Sequence, residues 1–294
     1  YQLDGTDTWT LLSPFSLDVT ASEFFWCAVP ASFINYKRSL INAADYTKVG
    51  VNANFKINGT PQALVVQDGI NQPWLIIFDG AVPLARQCKT YYEWGSTLDT
   101  QNNQEYVPIG RQMFYHADGI LFIVARDSKS VYRSITGRPL DFMVNVDTEG
   151  RKQPLEQNGG ASSVSFAFDY EPITHIGPVN TPSSFVVGTA HTVRIITLDY
   201  LNTIFGEPRF YRSAEISAGL VNHKCFAEIL GGYAFSTFDS IVQFDAVQQL
   251  KYAGRNSIFS LQVSKFLKDI KQTKPCVTVW NNYALFNVDT NWGN

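Results

Sequence analysis

The stretch Cys225–Val247 reads Cys-Phe-Ala-Glu-Ile, Leu-Gly-Gly, Tyr-Ala-Phe-Ser-Thr, Phe-Asp-Ser, Ile-Val-Gln-Phe-Asp-Ala-Val. Three short runs rich in aromatic and β-branched residues are separated by two turn signals. Gly231-Gly232 suits the positive φ angles of a hairpin turn, and Asp239-Ser240 is turn chemistry of the Asx type. Three strands joined by two tight turns predict an antiparallel meander. In its third strand Val242, Phe244 and Ala246 share one face, and Ile241, Gln243 and Asp245 the other. A meander this small cannot bury its faces alone, so it needs neighbours.

The chain supplies them as repeats. With the middle strand Tyr233–Thr237 as anchor, similar runs begin at Phe24, Trp74, Ile120, Phe185 and Tyr283. The steps between successive starts are 50, 46, 65, 48 and 50 residues. Strand-like segments precede the anchors at Ala63–Val66, Gln112–His116, Thr174–Val179 and Cys276–Trp280, and others follow at Val131–Ile135, Val193–Leu198 and Ile241–Val247. The unit at Phe24 fits least well, since its preceding strand must come from Trp9–Val19. Linkers hold candidates for a fourth, outer strand at Tyr91–Trp94, Val164–Tyr170, Arg209–Ile216 and Phe259–Val263. A period near 50 with three or four strands is too long for a sandwich, whose strands recur every 8–12 residues or so. It matches a propeller blade. The expected fold is all-β, one propeller domain over residues 1–294 with about six blades.

Composition agrees with this reading. The chain has 294 residues, of which 45% are hydrophobic and 14% aromatic, including 21 Phe and 14 Tyr. That is enough to fill the space between packed sheets. Only 17% of residues are charged and the net charge is −3, so the basic footprint of a nucleic-acid binder is missing. No apolar run reaches the 18 residues or so of a membrane helix, and no signal peptide is evident. The chain starts at Tyr1 and stops just after a middle strand, so an excerpt of a longer protein is expected.

Four cysteines, Cys27, Cys88, Cys225 and Cys276, form no CxxC pair, so a zinc ribbon is not expected. Cys225 and Cys276 hold equivalent places in consecutive units and read as neighbouring core thiols. Short helical turns are expected at Ser39–Tyr46 and Phe266–Lys271. Asn58-Gly59 reads as a hairpin turn, Asp99–Gln104 as a surface loop, and Glu149–Gly160 as an insertion at a blade edge.

The search for chemistry yields little. His116, His175, His191 and His223 lack metal-ligand spacing and read as ordinary strand or turn residues. There is no nucleophile elbow and no phosphate-binding loop. Asp68, Asp118, Asp169, Glu228 and Asp239 are candidates for the carboxylates of a propeller glycosidase, but Asp68 and Asp118 sit in Asp-Gly turns that already explain them. Asp4–Trp9 resembles a single Asp-box of sialidase propellers, without the spacing or repetition of one. No catalytic, cofactor-binding or metal-binding residue is assigned. Gly137–Phe142 and Phe205–Pro208 read as blade-to-blade connectors pinned by proline.

At these connectors the chain resembles a known family. Ser134-Ile135-Thr136-Gly137-Arg138-Pro139-Leu140-Asp141-Phe142 is similar to a phrase in propellers of short-tailed phage tail proteins. Thr203–Pro208, Gly254–Ser257 and Tyr283–Thr290 look like further phrases of that group, so that the likeness spans roughly residues 50–294. The family is the tail nozzle, or tail tubular protein B, of podovirus-like phages, related to packaged-DNA stabilisation proteins. The resemblance implies a structural virion protein, assembled in the bacterial cytoplasm as a homo-oligomeric ring, with about six subunits. Its implied partners are tail adaptor or portal-side proteins, tail fibres, the host surface, and DNA passing without sequence-specific contact. It implies no enzyme activity and no cofactor. Low negative charge suits such a conduit, since a basic lumen would hold phosphates. The alternative class is a carbohydrate-binding or glycan-cleaving, sialidase-like propeller acting on host polysaccharide.

Overall fold

The computed structural model describes residues 24–30, 56–57, 60–70, 74–78, 83–87, 108–134, 136–137, 139, 142, 163–164, 171–179, 183–204, 207–229, 232–237, 241–244, 257–258, 276–280 and 283–287. Among these, every regular element is a strand and every pairing is antiparallel. The chain divides into two compact units, Tyr1–Arg126 with Ser130–Ser165, and Asp127–Lys129 with Phe166–Asn294.

The first unit holds two sheets. One contains β1 (Phe25–Pro30), β2 (Lys56–Ile57), β3 (Thr60–Gln67), β4 (Trp74–Phe78) and β5 (Pro83–Gln87), ordered β1-β3-β4-β5 with β2 on β3. The other is a meander of β6 (Gly110–His116), β7 (Ile120–Ala125), β8 (Val131–Arg133) and β9 (Ser163–Val164). In the second unit β10 (Ile173–Pro178), β11 (Ser184–Thr189), β12 (Val193–Ile204) and β13 (Glu207–Ile216) form one sequential meander. β14 (Phe226–Ile229), β15 (Gly232–Ser236), β16 (Ile241–Phe244) and β17 (Ser257–Ile258) form the next, and β18 (Cys276–Trp280) pairs with β19 (Tyr283–Asn287).

Five anchors fall where the repeat places them. Trp74, Ile120 and Tyr283 begin β4, β7 and β19, while Phe185 and Tyr233 are the second residues of β11 and β15. β7, β11 and β15 are each the second strand of a four-stranded meander, β4 lies between β3 and β5, and β19 is the second strand of its pair. In β7, β11 and β15 every residue is buried on both faces, which is why they read as unbroken apolar runs rather than alternating ones.

The anchor at Phe24 is a correction. Strand β1 pairs with β3, on the side away from β4, and is the edge of that sheet. Its burial shows the reason: Phe25 and Val29 point inward while Trp26, between them in the alternation, is 67% exposed. This alternation sets β1 apart from β7, β11 and β15, whose residues are buried on both faces. The expected partner from Trp9–Val19 lies outside the described residues, as do the helical turns at Ser39–Tyr46 and Phe266–Lys271, the loop Asp99–Gln104, the insertion Glu149–Gly160 and the outer strand at Tyr91–Trp94.

Other details also shift. Ile229 pairs with Gly232, so Gly232 is the first rung of β15 and the connecting residues are Leu230-Gly231. Phe205–Pro208 is no link between sheets: Ile204 pairs with Glu207, and β12 and β13 form one long hairpin. Pro208 falls in the irregular register between Asp199 and Ile204, where a residue without an N–H leaves no rung unmade. The phrase from Ser134 likewise leaves β8 within a single sheet rather than linking two. Outer strands appear at Glu207–Ile216 as expected and at Ser257–Ile258, just ahead of Phe259–Val263, which lies outside the described residues. Val164 belongs to β9, and the rest of Val164–Tyr170 is also outside them. The pairing of Ile57 with Thr60 leaves Asn58-Gly59 as a two-residue connection, as its chemistry predicts.

In the second unit an apolar core joins the β10–β13 and β14–β17 sheets. It draws Val186, Ile195, Ile216 and Leu220 from one side and Tyr233, Phe235 and Val242 from the other, with Cys225 among them. Burying each large side chain contributes about 1.5–3 kcal/mol. Phe226 adds offset stacking, with ring centroids 5.1 Å from Tyr233 and 6.4 Å from Phe235.

Candidate functional site

The richest polar constellation lies where the segment Ser217–Cys225 passes from β13 to β14. Every amide that leaves a ladder must be satisfied elsewhere, and here neighbouring strands do it. Leu220 N donates to Thr189 O at 2.8 Å, and its carbonyl accepts from Thr174 Oγ1 at 2.8 Å. Ser236 N donates to Cys225 O at 3.0 Å, and Val277 N to Lys224 O at 2.7 Å. Lys224 N donates to Asn222 Oδ1 at 2.8 Å, an Asx turn that bends the segment into β14. A Cβ at Gly219 would collide with the carbonyl of Ala190, so glycine is what allows the segment to lie against the β11–β12 turn.

His175, on β10, is fixed in this joint. Its Nδ1 lies 3.1 Å from the carbonyl of His223, and because a carbonyl only accepts, that nitrogen carries the proton. The ring stacks on Phe226 with centroids 4.8 Å apart. Its Nε2 is buried and has no hydrogen-bond partner among the described residues, lying over Gly177, where an added Cβ would sit 2.8 Å away. Burial pushes the His175 pKa down to about 4; the bond to His223 O opposes the shift and the nearby His223 ring adds to it. The imidazole is neutral at pH 7 and acts as a packed aromatic.

The hairpin from β11 to β12 superficially resembles a nucleophile–acid–base set. Thr189 Oγ1 lies 2.6 Å from Glu171 Oε2, and His191 Nε2 is 3.6 Å from Glu171 Oε1. The roles do not assemble. The single hydroxyl proton of Thr189 goes to the carboxylate, and its lone pairs face Thr192 Oγ1 at 3.0 Å and Thr192 N at 3.1 Å. No described contact links the hydroxyl to an imidazole that could take its proton, and Thr189 is fully buried. The set locks a turn.

In the first unit, Asp68 Oδ1 accepts from Ile70 N at 2.8 Å, and Gly69 has φ +77°. His116 pairs with Ile120, its carbonyl takes Gly119 N at 2.9 Å, and its Nδ1 accepts from Asp118 N at 3.1 Å. Gly119 has φ +82°, and a Cβ there would come 2.8 Å from the Cα of Gly137. The start of the Ser134–Phe142 phrase therefore packs backbone to backbone on the Asp-Gly turn. Ser134 secures it: Oγ accepts from Leu121 N at 2.9 Å, and its own N–H donates to Leu121 O at 2.9 Å.

Both Asp-Gly turns match their sequence reading, and the Asp68 carboxylate closes its own turn. Glu228 is exposed on β14; Asp169, Asp239 and Asp4–Trp9 lie outside the described residues. Among the described residues no three His, Cys, Asp or Glu side chains converge as metal ligands. Sequence reading missed Gln67, which is fully buried: Oε1 accepts from Gly110 N and Nε2 donates to Arg111 O, both at 2.9 Å. A glutamine placed just before an Asp-Gly turn was the available signal. Cys27, Cys225 and Cys276 are reduced thiols.

No family model and no curated protein matches the chain. Among solved structures, a putative 6-phosphogluconolactonase from Bacteroides uniformis superposes with a TM-score of 0.39 at 9% identity, over 67% of this chain and 50% of that one. Dihydro-heme d1 dehydrogenase NirN, in complex with DHE, superposes with a TM-score of 0.40 at 10% identity, over 78% of this chain and 39% of the other. The chain thus spans at most half the length of these two, and likeness at this level says nothing of activity.

Proposed function

We propose that this chain is a propeller, whose described strands form five sheets, and that it serves as the tail nozzle of a short-tailed phage, a structural part that retains the genome and then conducts it outward. The observation that carries the reading is that the described parts of the nozzle-like phrases lie in, or directly after, strands of successive sheets. Within the fullest phrase, Gly137 packs backbone to backbone on Gly119, and Ser134 exchanges two hydrogen bonds with Leu121 of β7. Three four-stranded meanders in strict chain order are the pattern of propeller blades. Blades buried on both faces make a stiff body, which suits a part under packaged-genome pressure.

The nozzle works without catalysis or cofactor, as a ring of about six copies that meets the tail adaptor on one side and fibres or the host surface on the other. A net charge of −3 suits DNA passage, because a basic wall would release counterions, bind phosphates and slow exit. Deleting the gene from its phage tests this. Particles that leak DNA or lack the distal tail segment are expected; normal tails that retain DNA and infect as usual would remove the proposal.

A further inference from the structure

Cys225, just before β14, and Cys276, the first residue of β18, flank one backbone hydrogen bond. Val277 N donates to Lys224 O at 2.7 Å, so the peptide unit joining Lys224 to Cys225 is bonded directly to the one joining Cys276 to Val277. Each cysteine is joined directly to a peptide group of that one bond, so the two Cα atoms are near neighbours, as the short reach of a disulfide requires. Cys225 is fully buried and Cys276 is partly exposed. Burial pushes the Cys225 thiol up to about 12; a backbone hydrogen bond from Asn222 opposes the shift and the neighbouring Cys276 adds to it.

We propose that Cys225 and Cys276 are an oxidation site, closing a disulfide that staples the β14–β17 sheet to the β18–β19 pair when the chain meets a disulfide oxidant. Accessibility sets the order. The thiolate of Cys276, the more accessible of the two, attacks a sulfur of oxidised glutathione, forms a mixed disulfide and expels one glutathione thiolate. Cys225 then gives its proton to solvent, attacks the Cys276 sulfur and expels the second glutathione. Two cysteine thiols are oxidised, and one glutathione disulfide is reduced to two thiols. The buried Cys225 reacts second because a thiol held near 12 is a poor first nucleophile. Such a staple suits a protein that passes from a reducing cytoplasm to an oxidising exterior.

The test is to incubate the folded chain with oxidised glutathione at mildly alkaline pH and map its peptides without reduction. The expected result is a peptide pair linked through Cys225 and Cys276, lighter by two hydrogens than the reduced pair. The link should persist in Cys27→Ser and vanish in Cys276→Ser. A glutathione adduct that stays on Cys276, or a link from either residue to Cys27 or Cys88, would overturn the proposal. The wild-type map decides between these outcomes even where a variant folds poorly.

Discussion

His175 shows how one buried ring ties stability to pH. Its pKa is about 4 in the fold and about 6.5 in an unfolded chain. The unfolded state therefore binds the extra proton between these values, and stability falls as pH drops from about 6.5 to 4. The loss approaches about 3 kcal/mol at the acid end, at roughly 1.4 kcal/mol per pH unit. Urea unfolding at pH 7 and pH 4.5 should show this, and His175→Phe should reduce the difference between the two midpoints. An unchanged difference would mean that the ring is not held neutral. At Gly119 two demands coincide, a positive φ and a backbone neighbour 2.8 Å from any Cβ. Gly119→Val should cost at least about 1–3 kcal/mol, read as a lowered unfolding midpoint; an unchanged midpoint would mean that the turn relaxes freely.

Among the elements, meander centres were legible and edges were not. Runs such as Ile-Leu-Phe-Ile-Val at Ile120 are apolar on both faces, a signal that survives without alignment. The run at Phe24 has the same composition, but its alternation of buried Phe25 with exposed Trp26 becomes visible only once β3 is known as its partner. Phe205–Pro208 was misread because a proline marks a sheet boundary and an irregular hairpin equally well. The Asp-Gly turns were readable because their φ requirement is local, whereas the joints depend on residues far apart in sequence. Gln67 is such a joint, bonded across 43 and 44 positions to Gly110 and Arg111. Gln67→Leu should cost about 1–3 kcal/mol by stranding a buried N–H and C=O. Hydrogen exchange should reveal it first at Gly110, and unchanged protection there would argue against the clamp.

At the scale of the whole molecule, the repeat period carried the all-β class and the sequential sheets, but a period cannot report ring closure, subunit number or location. Among the described residues, Asp68 is engaged by Ile70, and Glu171 and Thr189 by the β11–β12 hairpin. The purified protein should accordingly hydrolyse neither sialosides nor bacterial polysaccharide, and turnover abolished by one Asp or Glu substitution would favour the glycosidase alternative. The central claim is the nozzle, and its most direct test is to locate the chain in the particle. Cryo-electron microscopy of the phage tail, with this protein tagged, should place a ring of copies at the distal end of the tail around the DNA path. Density in the capsid or fibres, or a particle without the protein, would contradict the account.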